Sequence, residues 1–472
     1  MNKTLTNILS DIRFWIILFF VIRLIGITNP PLEISHNWRQ TTVTMVARNF
    51  LEIDNTIFYP RVDFAGEKTG ITGMEFPLFN YLIYLTSELF GYQHWYGRLI
   101  NLLFSSLGIW FYYKLVKKYF NNKLAFNSSI ILLFSIWFSF SRKIMPDTFS
   151  MSLVIVSIYY GYNYLYKKGT LNQSVNLLMY AILFCIGALS KLPSAYAVVL
   201  FTIPFFNFKI SIQRKFVFAA VSIIGFLPVL FWYFYWFPYL IKTYNFFHFS
   251  MGKGLLEGAK EINSNLPLVF NQFYSNAIKY IGFIVFLYAI IQLFRKKEKK
   301  ILYVFVLSFL SYLVIILKAG NIFIHHNYYI IPFVPIISLI AGYGITTIKI
   351  KKIGITLLML IAFEGILNQQ HDFYIKKNAL VLLKLEEDLN KFSSPKDLIL
   401  VNSNECPTPM YFSHRKGWLA SNFQLKQKNY IKNLKENGLR YIVILKKKYG
   451  NDIDLNYKIV SNNKDYKIYL IY

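Results

Sequence analysis

The segment SRKIMPDTFSM, residues 141–151, sets Arg142 and Lys143 just ahead of Asp147, between two long apolar runs. A turn between apolar helices needs none of these charges. A carboxylate held beside fixed cations at a membrane surface is suited to act as a general base or to steer a cation. It equally suits the plainer task of capping the helix that opens at Pro146. Glu75, beside Pro77 at the start of another apolar stretch, has the same pair of readings, acid/base chemistry or complementing a helix dipole. Lys191, in ALSKLPSA, stands between two apolar halves. A charge there is a functional candidate with phosphate as its partner, snorkelling being the plain alternative. Arg39 and Arg48 can grip phosphate bidentately or face solvent. His325 and His326, in IHHNYYIIPFVP, are metal-ligand types. Neighbours on a helix point about 100° apart, so the pair would hold a divalent ion only with help, for which Glu75 is the candidate. Otherwise they anchor an interface beside Tyr.

These residues need a scaffold, and composition names it. Of 472 residues 55% are hydrophobic, 19% aromatic and 16% charged, with a net charge of +28. A soluble core of this size does not hide so much apolar surface, so a bilayer is the expected solvent. Apolar runs of spanning length occur near 14–28, 96–116, 124–141, 147–166, 173–190, 192–208, 215–237, 277–294, 300–318, 329–347 and 351–367. A further run, 76–92, is short and contains Asn80 and Glu88. With that run laid on the surface, the N-terminus (Lys3, Arg13), KLVKKYFNNK (114–123), YKKGT (166–170), KISIQRK (209–215), RKKEKK (295–300) and KIKK (349–352) all fall on one side. That is the positive-inside pattern, and it accounts for the basic excess. The expectation is about 11 spans, N-terminus cytoplasmic and C-terminus outside. Asp147, Lys191, loop 29–95 and the histidine pair then share the outer face. The first run lacks a cleavage signal and reads as a retained span. Cys185 and Cys406 are not expected to pair.

Two regions depart from the bundle. In loop 29–95, SHNWRQTTVTMVARNF and GMEFPLFNYLIY read as interfacial helices. Residues 368–472 read as a small outer α/β domain: strands at 396–404 and 440–448, a helix over 426–438 closed by Gly438, and two short strands near the end. It has no nucleotide-binding glycine motif, and no nucleic-acid partner is expected. Cations and carboxylates above a lipid-filled bundle suit a lipid-borne phosphate substrate. The chain of such a substrate sits in the bilayer, its phosphate lies on Arg or Lys, and its reacting carbon lies near a carboxylate.

At this point the chain resembles the GT-C glycosyltransferases of the ArnT/protein O-mannosyltransferase (glycosyltransferase family 39-like) type, bacterial branch. The resemblance rests on WRQTTVTMVARNF, EFPLFNYL, RKIMPDTFSM, GALSKLPSA and HHNYYIIPFVP in the family's order, over about 370 residues. It implies domain 1–367 as a transmembrane catalytic domain in a bacterial inner membrane, with 368–472 outside. The implied reaction moves a sugar from a polyprenyl phosphate to lipid A, another envelope glycan or a protein. Members carry an Asp-Glu pair early in the first outer loop; here it falls on Arg39 and Gln40, and Glu33 is several residues off. Asp147, Glu75 or His36 is then left for the base. Arg39, Arg142 and Lys191 are expected on the donor phosphate. The rival reading, a transporter or flippase of lipid-linked sugar, predicts mid-span charges and two similar halves.

Overall fold

The computed structural model describes residues 7–167, 172–249 and 252–471. Lys3 and residues 168–170 of the YKKGT loop lie outside them. The chain forms two compact units. The helical unit comprises Met1–Ile27, Arg98–Tyr233 and Ser250–Gln370; the sheet unit comprises Thr28–Gly97, Phe234–Phe249 and His371–Tyr472. Loop 29–95 belongs to the same compact unit as the C-terminal segment.

Each of the eleven apolar runs falls on helix. Among the described residues six helices are long and apolar enough to cross a membrane, against about 11 spans expected: Tyr96–Tyr119, Gln173–Ser190, Ile212–Tyr244, Lys299–Ala319, Asn327–Thr347 and Lys351–Phe373. The pair Leu266–Ala277 and Lys279–Arg295, bent by 103°, adds a seventh if taken as one span. Outer helices leave Ile223, Phe234, Ile284 and Phe363 more than 60% exposed, as lipid-facing surfaces do. Inside, Asn327–Thr347 is almost wholly buried. Its Gly342 lets the helix close on Ser128 of Asn122–Phe134, since a Cβ there would lie 2.7 Å from the Ser128 backbone. Small residues at such crossings let backbones approach.

The sheet unit holds five strands: β1 Leu398–Val401, β2 Gly417–Leu419, β3 Leu439–Leu445, β4 Lys458–Asn462 and β5 Tyr466–Leu470. Their order is β2-β1-β3-β5-β4; β1 runs parallel to β2 and β3, and β5 antiparallel to β3 and β4. Alternation splits them between two cores. Ile399, Val401, Tyr441, Val443 and Leu445 face one, while Leu400, Ile442 and Ile444 face the other. The helix Lys428–Glu436 is followed by Gly438 at φ +94°, as expected of a glycine stop.

The first core also takes Met45, Val46 and Phe50 of the helix Asn37–Glu52. That helix is buried continuously from Gln40 to Phe50, rather than along one apolar stripe. Its polar groups are met internally. Arg48 donates to Asp63 at 2.8 Å and to the Tyr411 carbonyl at 3.1 Å, and Asn49 donates to Asp63 at 2.7 Å. Arg48 is therefore a structural cation rather than a solvated or phosphate-facing one.

Candidate active site

In the helical unit, Pro146 opens the helix Pro146–Leu165 with its fixed φ, and Asp147 follows in the first turn. The dipole favours a carboxylate there. Asp147 is nevertheless 2% exposed, so it is no solvated cap. Lys191 Nζ lies 3.7 Å from its Oδ1. Lys191 is extended between Gln173–Ser190 and the 3-10 segment Leu192–Phe201, and its ammonium also sits 5.4 and 5.6 Å from the ring centres of Tyr328 and Tyr329. The two residues singled out at 147 and 191 are thus partners.

Around them the balance of charge is lopsided. Arg23, Arg98, Arg142, Lys143 and Lys191 are all at most 4% exposed, and each stands at or near a helix end. Among the described residues of the helical unit, Asp147 is the only buried carboxylate. Several cations have fixed tasks. Arg142 donates to the carbonyls of Arg23, Ile25 and Gly26, and so holds the turn after the first helix. Its place among the expected phosphate ligands is weakened accordingly. Arg98 donates to the Ile27 carbonyl at 3.0 Å, and Arg23 is sandwiched at 3.5 and 3.7 Å by Phe19 and Phe138. Lys143 lies 4.4 Å over the Phe140 ring. Asn101 braces this loop, donating to the carbonyls of Phe140, Lys143 and Met145 and accepting from Thr148. His325 and His326 are exposed in this unit, and the His326 ring stacks on Tyr328 at 5.2 Å.

In the sheet unit, the carboxylate of Glu75 takes a short hydrogen bond from Arg39. Glu75 is buried, and the Arg39 guanidinium lies 5.5 Å from the Phe249 ring. His248, unremarked in the sequence, belongs to the same cluster. Its Nδ1 is 3.1 Å from the Thr72 hydroxyl, and its Nε2 is buried with no hydrogen-bond partner among the described residues. Burial first, and then the Arg39 charge, push its pKa down to about 4, so the ring is neutral. Glu33 and Gln40 are fully buried, and Gln40 Nε2 donates to Glu33 Oε2 at 3.1 Å. A bridge from Glu33 to Ile375 holds the chain there. Glu33 is thus a buried carboxylate beside Gln40. His36 adopts a left-handed conformation, φ +65°, just before the helix and makes no side-chain cap.

Among the described residues no group of three or more His, Cys, Asp or Glu is arranged to hold a metal ion. Glu75 is engaged by Arg39. Cys185 and Cys406 are free thiols, as expected.

Residues 75–232 match the family described as dolichyl-phosphate-mannose-protein mannosyltransferase, a segment that begins at Glu75 and includes Asp147 and Lys191. No curated protein matches the sequence. The fold is similar to ArnT from Cupriavidus metallidurans in the apo state, with a TM-score of 0.61 at 12% identity over 97% of each chain. The undecaprenyl phosphate-bound form of that protein also gives 0.61, at 10% identity over 97% of this chain and 98% of that one. The archaeal oligosaccharyltransferase AglB from Archaeoglobus fulgidus, in complex with an inhibitory peptide and a dolichol-phosphate, gives 0.53 at 12% identity, over 92% of this chain and 69% of its own. The chain therefore has the GT-C fold and fits the type of ArnT and the protein mannosyltransferases.

Proposed function

We propose that this protein is a glycosyltransferase of a bacterial inner membrane, moving a sugar from a polyprenyl-phosphate donor to an acceptor on the outer face. The acceptor classes are lipid A, another envelope glycolipid or glycan, or a protein. The observation that carries the reading is the buried Asp147–Lys191 pair at a helix start, inside the segment that matches the mannosyltransferase family model. A buried carboxylate beside a fixed ammonium suits acid/base work next to a phosphate. A lipid-linked phosphate can reach such a site from within the bilayer. The ArnT and AglB structures bound to undecaprenyl phosphate and dolichol-phosphate lend support.

In this reading Asp147 takes the proton from the acceptor hydroxyl as its oxygen attacks the anomeric carbon. The bond from that carbon to the phosphate oxygen breaks, and Lys191, with Lys143, stabilises the departing phosphate. Lys191 lies 3.7 Å from Asp147 and is the cation proposed to meet the phosphate. Arg39, oriented by Glu75, offers a second phosphate-binding fork. Glu33 is the further carboxylate to examine, because it stands where the family's early acid pair is absent. The test is transfer of labelled sugar from polyprenyl phosphate in proteoliposomes. Asp147→Asn is expected to lose transfer; undiminished transfer overturns the assignment. Passage of intact lipid-linked sugar between leaflets, with no new glycosidic bond, makes the protein a flippase instead.

A further inference from the structure

The helical unit contains a cavity of about 520 Å³ that runs along the bundle from Met151, one turn beyond Asp147, to the helix ends opposite Asp147 and Lys191. It lies between the second half of Tyr96–Tyr119, Met151 to Tyr162 of Pro146–Leu165, the 3-10 segment Leu192–Phe201 and the first turn of Lys299–Ala319. Tyr162, on its wall, is about 22 Å along the helix from Asp147 at 1.5 Å per residue. The wall is mostly apolar, with Ala197 at one side and Tyr112 at another, while Lys118 and Lys300 stand at the basic end. Lys118 Nζ is held at 2.5 Å by Asn163 Oδ1, which keeps a fixed ammonium on the rim; Lys300 is exposed.

An apolar chamber within a bundle, with cations at one end, matches an amphiphile whose anionic head lies at that end. Pockets of this size suit small ligands or a lipid chain. We propose that this cavity binds one anionic phospholipid from the leaflet facing the basic loops, its acyl chain against Ala197 and its phosphate on Lys118 and Lys300. The basic residues Lys114, Lys117 and Lys123 flank the same end and raise the local concentration of such lipids. The donor's polyprenyl tail is the less suited occupant. Its phosphate belongs with Asp147 and Lys191 at the other end, so the Lys118 and Lys300 charges would meet only hydrocarbon. The inference stands apart from glycosyl transfer, because it concerns binding alone.

The full chain is purified in detergent, given phosphatidylglycerol or phosphatidylcholine, and examined by native mass spectrometry. One phosphatidylglycerol is expected to be retained, in preference to phosphatidylcholine. Each rim lysine is worth about a fivefold change in affinity for an anionic lipid, so Lys118→Gln with Lys300→Gln should weaken retention about thirtyfold. Ala197→Trp, which fills the chamber, should abolish it; the charge variant keeps the test open should the tryptophan disturb folding. Equal retention of the two lipids, or retention untouched by the charge variant, overturns the proposal. So does displacement of phosphatidylglycerol by undecaprenyl phosphate at equal concentration, which would assign the chamber to the donor.

Discussion

Replacing Asp147 by asparagine keeps the shape of the side chain and removes one charge from a buried pair. At 3.7 Å and an effective dielectric of about 20, the attraction to Lys191 is about 4–5 kcal/mol. Removing one member of a buried pair costs about 3–5 kcal/mol. Asp147→Asn and Lys191→Met are therefore both expected to lower the thermal midpoint clearly. The double variant, having no buried charge left to compensate at this pair, should regain most of that stability. Activity should behave differently. Loss of a general base costs about 10²–10⁴ in rate, and restoring stability does not restore a proton acceptor. The assay couples thermal unfolding in detergent with single-turnover transfer from a labelled polyprenyl-phosphate sugar, on all four proteins. A double variant that transfers sugar within a few-fold of the parent would refute the catalytic role and leave the pair as structure. Additive losses of stability in the double variant would refute the pairing.

Three further predictions rest on separate observations. His414 is bound by Glu386 at 2.6 Å and Glu52 at 2.8 Å, which raise its pKa to about 9, while His414 holds the Glu386 carboxyl below its usual range. The histidine's contribution is full below about pH 6.5 and fades as pH rises through about 9; that of Glu386 is lost in acid, as pH falls through its lowered value. These groups are a third to nearly a half exposed, so His414→Ala should cost only about 1 kcal/mol and flatten the alkaline arm of a stability–pH curve. His248 should remain neutral across pH 5–8 by NMR, and Arg39→Gln should raise its pKa by removing a nearby positive charge; a protonated His248 at pH 6 in the parent would contradict this. Gly365→Ala would put a Cβ 2.1 Å from the Phe134 carbonyl oxygen, so the helix Lys351–Gln369 must move, at a cost of about 1–3 kcal/mol read as a lowered thermal midpoint.

The helices and the C-terminal strands were legible because their periodicities are long or regular: the apolar runs all fall on helix, β1, β4 and β5 fall within the expected segments, and β3 begins one residue ahead of its own. Strand β2 was missed because three residues carry no alternation to read. The burial of Asn37–Glu52 was hidden by its composition. Thr, Asn and Arg at those positions read as a wet face until Asp63, itself some way along the chain, supplies their partner. Among the site residues, Asp147 and Lys191 were each visible, but their pairing crosses more than a helix of sequence. Arg142 looked like a phosphate ligand because backbone carbonyls, which occupy it, leave no trace in residue types. His248 stands in NFFHFS, where a lone histidine among phenylalanines signals burial and little else. Glu33, several residues from Arg39 and Gln40 in the sequence, meets the Gln40 side chain through a chain bend that residue types do not announce.

The sheet unit draws on three stretches of chain separated by most of the bundle. Its earliest stretch leaves the ribosome long before β1 exists. At about 5–20 residues per second, on the order of half a minute passes before Met45, Val46 and Phe50 have a sheet to cover them. A nascent molecule thus displays Met45, Val46 and Phe50 uncovered while later helices are still being inserted. A premature stop ahead of residue 398 would make that exposure permanent, turning a distal nonsense mutation into a quality-control target through damage near the front of the chain.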